Sequence, residues 1–161
     1  MGTLNGPTYG SLRGAGLSYN QPNFLSVTAD MTSATWNTQA SHEILTVTGV
    51  VRVRIVPYCT GTLTDTGDAG TIQLGVDGDT DAFIAVTDSD DIVTNELWHD
   101  ATPTTFTDAT TDAVRDFIVS DKDIGYEIGG EALTGGSLVF LVWWDPLSSD
   151  GNCSAGAGGA L

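Results

Sequence analysis

"QLGVDGDTDAFIAV", residues 73–86, admits two incompatible readings. Asp77, Asp79 and Asp81 fall at alternate positions, as the first ligands of a calcium loop do. The same stretch holds an Asp-Gly pair between two apolar runs, which is a strong local signal for a β-hairpin. A calcium loop of the EF-hand kind needs Gly at its sixth position and a bidentate Glu at its twelfth. Counted from Asp77, those positions hold Ala82 and Asp88. Beyond Asp81 the chain alternates as a strand instead of entering a helix. The hairpin reading therefore prevails, with a turn at Asp77-Gly78 and a strand on each side. Weak capture of a divalent cation by the aspartate-rich loops, here or at "DSDD" (88–91), is the alternative, and no cofactor is expected.

The same texture extends outward. In "EILTVTGVVRVRIVPYCT" nearly every residue is β-branched or small, and Val51, Val53 and Ile55 alternate with Arg52 and Arg54. That pattern gives one buried and one wet face. Gly49 marks a bulge, and Pro57 marks an interruption of pairing or a sheet edge. "NELWHDAT" reads as a further strand, and "IGYEIG" places Ile124, Tyr126 and Ile128 on one face. "LVFLVWW" (138–144) is apolar on both faces, which fits a central strand. One stretch, "DATTDAVRDFIVSD", has Ala113, Val114, Phe117 and Ile118 at helical spacing behind a possible N-cap at Asp108. It predicts a short helix over 109–118.

About seven strands separated by turn residues predict an all-β fold, an antiparallel β-sandwich of jelly-roll type. Residues 1–40 carry Gly, Ser, Thr, Asn, Gln and Pro with scattered apolar side chains, and they read as an extended N-terminal arm anchored by Phe24 and Trp36. The sandwich domain is expected over 41–150. Residues 151–161 ("GNCSAGAGGAL") read as a flexible Gly/Ala tail.

Charge narrows the partners. The chain has 161 residues, with 21 acids against 5 Lys+Arg, a formal charge of −16. Nucleic acid and anionic membrane surfaces repel such a chain. No apolar run is long enough for a membrane helix, and the N-terminus lacks the basic start and apolar core of a secretory signal. Cys59 and Cys153 read as two free thiols, although one pairing is possible. Two histidines, His42 and His99, offer little for catalysis, and no phosphate loop, nucleophile elbow or zinc motif occurs. No enzyme is expected. Trp143 and Trp144 are neighbours on a strand, so one should face the core and the other outward, where an aromatic side chain suits a subunit interface. Phe24, Trp36, Trp143 and Trp144 are accordingly the candidate interface residues.

Four segments carry a resemblance: "ATWNTQASHEILTVTGVVRVRIVPYC", "LGVDGDTDAFIA", "ELWHDATP" and "VFLVWWDPLSSDGN". Together they resemble a group of small virion structural proteins encoded by tailed phages and prophages, over a span from about Trp36 to Asn152. The resemblance implies a decoration or cement protein on the outer surface of the capsid, made in the host cytoplasm. Its implied partners are the major capsid protein and, by analogy with subunits on threefold positions, other copies of itself in a homotrimer. It implies no catalytic residue. The rival expectation is a tail or fibre component that binds host-surface glycan through an exposed Trp.

Overall fold

The computed structural model describes residues 23–105 and 114–161. Eleven strands are found there: β1 (Asn23–Asp30), β2 (Ser41–Thr48), β3 (Val50–Thr64), β4 (Thr71–Val76), β5 (Asp79–Asp88), β6 (Glu96–Leu97), β7 (Thr104–Thr105), β8 (Asp116–Ser120), β9 (Ile124–Gly129), β10 (Gly135–Pro146) and β11 (Asn152–Ala155). Every pairing between them is antiparallel. They form two sheets. One runs β1-β10-β3, with β8 and β6 sharing the far side of β3 and β7 beyond β6; the other runs β11-β2-β9-β4-β5. The chain is an all-β sandwich, as expected.

Alternation builds the core between the sheets. Val51, Val53 and Ile55 face inward from β3, while Arg52 and Arg54 stay exposed. From the other sheet Ile124, Tyr126 and Ile128 face them, all within 1 % of full burial. Each such side chain stabilises the fold by about 1.5–3 kcal/mol relative to exposure. The hairpin expected at Asp77-Gly78 joins β4 to β5, and Gly78 has the positive φ (79°) that its turn demands.

Gly49 has a larger role than a bulge. It separates β2 from β3, which belong to opposite sheets, so the single β-branched run is two strands turning a corner. Its φ of 63° favours Gly, and a Cβ there would lie 2.6 Å from Asp150 Oδ1 and Ser148 Oγ. Pro57 sits where β3 changes partner, between its pairing with β8 at Arg54 and with β6 at Tyr58. β10 is central, flanked by β1 and β3.

Three expectations need correction. The N-terminal arm over 1–40 does not hold for the described part, because Asn23–Asp30 is a strand in register with Trp144–Ser137. Leu25, Val27 and Ala29 point inward, and Met31 beyond them is fully buried. The short alternation was masked by Phe24, an apolar residue on the outer face. Residues 1–22 lie outside the described residues. The flexible tail over 151–161 is likewise replaced by structure. β11 pairs with β2, Cys153 is buried, and the Gly156 and Gly158 N–H groups donate to the Ile44 and Glu43 carbonyls. Small residues there allow a close approach that composition alone reads as looseness. The helix expected over 109–118 ends in strand: Asp116–Ser120 is β8, held by Val51↔Val119 and Val53↔Phe117 pairing with β3. Residues 109–113 lie outside the described residues.

Candidate functional site

The two outer faces of the sandwich differ in chemistry. On the β2 side, Gln73, Thr80 and Glu127 bond one another: Thr80 Oγ1 donates to Glu127 Oε2 (2.6 Å), and Gln73 Nε2 reaches both (2.6 and 3.3 Å). Leu161 lies over Gly125, its Cδ1 2.9 Å from where a Cβ would sit. These three side chains satisfy one another. The outer face of the β1-β10-β3 sheet is apolar at its centre. β10 sends Trp144 inward to pack against the core, in register with Asn23 and the buried Val53. The pleat therefore sends Trp143 outward, together with Leu141 and Val139. Phe24, 55 % exposed, pairs with Trp143 across β1, their ring centroids 5.2 Å apart and their planes tilted by 47°. Val56 flanks Leu141 on β3, and Ile118, 73 % exposed, stands opposite Arg52 on β8.

Two ion pairs cross this face along β3, between Trp143 on β10 and Ile118 on β8. Arg52 bonds Asp145, and Arg54 Nε donates to Asp116 Oδ1 at 2.7 Å. Such exposed pairs contribute only about 0–1 kcal/mol each. Their consequence is local charge balance on a strongly acidic chain.

Of the four aromatic residues singled out in the sequence, the structure brings Phe24 and Trp143 together. Trp36 and Trp144 pack against the core. The Trp36 ring stacks on Tyr126 (6.5 Å), its carbonyl accepts the Tyr126 hydroxyl (2.6 Å), and Gly158 lies against its edge. Ile118 and Val56 were not singled out, because the helical reading of 109–118 hid the face that β8 completes.

Carboxylates converge elsewhere. Oxygens of Asp65, Asp68 and Asp90 lie within 4.8 Å of one another, the one such grouping of three metal-ligating residues among the described residues. Asp65 is built in. Its Oδ1 accepts the N–H groups of Gly67 and Asp68, and its Oδ2 accepts the Gly70 N–H and the Ser89 hydroxyl. Burial pushes the Asp65 carboxyl up, but these donors outweigh it and hold the group below the usual carboxylate range. Asp90 is pushed up, first by burial and then by the charges of Asp65 and Asp68. Asp77, Asp79 and Asp81 are instead exposed on the turn and on β5, the sheet edge.

Other reactive groups are structural. His99 Nδ1 lies 3.2 Å from Asp100 Oδ2, and its Nε2 lies 2.9 Å from Thr104 Oγ1. This acid–imidazole–hydroxyl order matches a catalytic relay in sequence of atoms. The cavity beside it, lined by His99, Arg115, Phe83 and Phe117, measures about 20 Å³. Ligand pockets run to roughly 300–1,000 Å³, so this one admits a water and no substrate. The relay ties down its own loop. His42 is buried, with Nε2 2.8 Å from the Thr38 carbonyl oxygen and its ring 5.1 Å from Tyr126. Cys59 and Cys153 are free and buried in opposite sheets, and burial pushes both thiols up to about 11. Among the described residues no helix is long and apolar enough to cross a membrane. Comparison of the chain with protein-family models, with curated proteins and with solved structures gave no match.

Proposed function

We propose that the chain is a structural virion protein, a decoration or cement subunit on the outside of a tailed-phage capsid. The observation that carries the reading is the outer face of the β1-β10-β3 sheet. Phe24 and Ile118 present apolar surface there that the other described residues leave exposed, and Trp143 lies half-buried beside Phe24. Aromatic side chains framed by charge-balanced pairs are what a protein-contact surface needs. The strand order adds support. β1 pairs β10, β2 pairs β9, β3 pairs β8 and β4 pairs β5, a nest of four antiparallel pairs rolled into two sheets. We read this as a jelly roll, an architecture common among viral capsid proteins; that step is fold-level analogy. The reading names the major capsid protein as partner and other copies of this chain, in a homotrimer, as neighbours.

Glycan binding through Trp143 is less well supported. The 47° tilt between Phe24 and Trp143 makes a ridge instead of the flat platform that a sugar ring stacks on. The test is co-sedimentation of the purified protein with phage heads that lack it, together with its copy number in intact virions. Saturable binding and copies on the order of hundreds, as a multiply symmetric shell requires, are expected. Failure to bind heads, with a few copies confined to tails, would overturn the reading.

A further inference from the structure

We infer that the outer face of the β1-β10-β3 sheet is where copies of this chain pack on one another. The inference rests on the reading of that face as a protein-contact surface and names its occupant. Charge is the reason. At −16, two copies repel over most of their surfaces. Eight of the 17 aspartates fall in loops and on the β5 edge of the other sheet, at Asp65–Asp68, Asp77–Asp81 and Asp88–Asp91. The chain has five cations, of which Arg52, Arg54, Arg115 and Lys122 fall among the described residues. Two of those four stand on this face, and both are balanced there, Arg52 by Asp145 and Arg54 by Asp116. Asp30 adds one acid at the far end of β1.

A basic partner selected by electrostatics would be drawn to the aspartate loops and would gain nothing from a balanced apolar face. A second acidic copy has the opposite preference, because this is the surface on which it can approach without repulsion. The apolar centre then supplies the attraction. Phe24, Trp143, Leu141, Val139 and Val56 adjoin one another across β1, β10 and β3, and a contiguous apolar patch of this kind marks an interaction site. Each Arg–Asp pair is neutral as a unit, so the pairs on one copy can approach those on the next without net repulsion.

The sign of the salt effect separates this occupant from others. Like-charged copies associate more tightly as salt screens their repulsion, whereas attraction to a basic partner weakens. Sedimentation velocity on the full chain, from about 10 mM to about 0.5 M NaCl, should show a homo-oligomer that strengthens with salt. Ile118→Lys and Phe24→Gln alter exposed side chains and should each weaken association about tenfold or more, a loss equal to about 1.4 kcal/mol. Val86→Lys, at a 51 % exposed apolar residue on β5 of the other sheet, should leave it unchanged. A protein that stays monomeric throughout overturns the inference. If that monomer still binds heads and the Ile118 and Phe24 variants do not, the face belongs to the shell and the proposed function stands. If those variants affect neither process, both readings fall. Association broken by Val86→Lys and untouched by Ile118→Lys would place the contact on the opposite sheet and also overturn the inference.

Discussion

Met31→Ala tests whether the segment before residue 41 belongs to the core. Met31 is fully buried. Its N–H donates to the Gly136 carbonyl (3.0 Å), its own carbonyl accepts from Asn37 Nδ2 (3.1 Å), and its sulfur lies 4.0 Å from the Tyr126 hydroxyl. Truncation to Ala keeps both backbone bonds and empties the space beside Tyr126. Buried Met→Ala changes cost about 2–5 kcal/mol, depending on how far the site collapses. Collapse is restricted here, since Tyr126 is held by stacking on Phe140 and Trp36 and by its bond to the Trp36 carbonyl. A loss of about 3–4 kcal/mol is therefore expected, which for a chain of this size lowers Tm by roughly 6–16 °C. Urea unfolding followed by circular dichroism should show a lower midpoint with an unchanged m-value. A chain that begins at Thr38 loses β1 with Val27, Ala29 and Met31 and should not fold cooperatively, because total stabilities are only about 5–15 kcal/mol. A loss under about 1 kcal/mol for Met31→Ala, or a truncated chain that folds, would return the segment to the status of an arm.

Asp90→Asn should raise Tm at pH 7 in the presence of EDTA. The folded state holds the Asp90 carboxyl above its unfolded value, so its ionisation opposes folding above that value and has no effect once both states are protonated, below about pH 4. The gain should accordingly vanish in acid; a loss at pH 7 that appears only when divalent cations are supplied would instead make Asp65, Asp68 and Asp90 a metal site. The thiols predict the alkaline limit. Cys59 and Cys153 are held at about 11 when folded, against about 8.5 for an exposed thiol. The unfolded chain therefore releases these protons first, and stability should fall as pH rises from about 9 to 11. Alkylation of the native protein at pH 8 should be slow and should become fast in urea; fast labelling without denaturant would contradict the burial of both side chains.

What could be read in the sequence was local. Alternation at Val51, Val53 and Ile55, the Asp77-Gly78 turn and the opposed directions of Trp143 and Trp144 each follow from a few adjacent residues. β1 escaped because Phe24 is apolar on its outward face and its inward residues shrink to Ala29, leaving too weak a contrast between faces. Ala113 to Ile118 carries apolar residues at both helical and strand spacing, and the choice at Phe117 and Val119 is made by pairing with Val53 and Val51, which local pattern does not contain. The contact face was half legible for the same reason. Phe24 and Trp143 are 119 positions apart in sequence numbering, yet adjacent in register. The acidic cluster likewise joins two loops, with Ser89 and Gly70 bringing them together through the Ser89 N–H and hydroxyl bonds to the Gly70 carbonyl.

The acids and the apolar face make sense together. A sandwich with a 10-residue edge strand such as β5 offers a template for further strands. Asp79, Asp81 and Asp88 are exposed along that edge and make pairing with another acidic chain unfavourable. The edge at β1 carries one acid, Asp30, beside Asn23, Ser26, Thr28 and apolar residues, so it is less guarded, and its Phe24 adjoins Trp143. Repulsion thus disfavours one edge and the loops, while the described residues leave the balanced face and its neighbouring edge open. With the acids placed in this way, a partner that buries the exposed Phe24 and Ile118 would be held on one side without the whole surface being adhesive. If the same apolar residues stood on the β5 side, burying them would require desolvating Asp79 and Asp81, with Lys122 at the turn set against Asp77, Asp79 and Asp81 together, and contact there would be weakened.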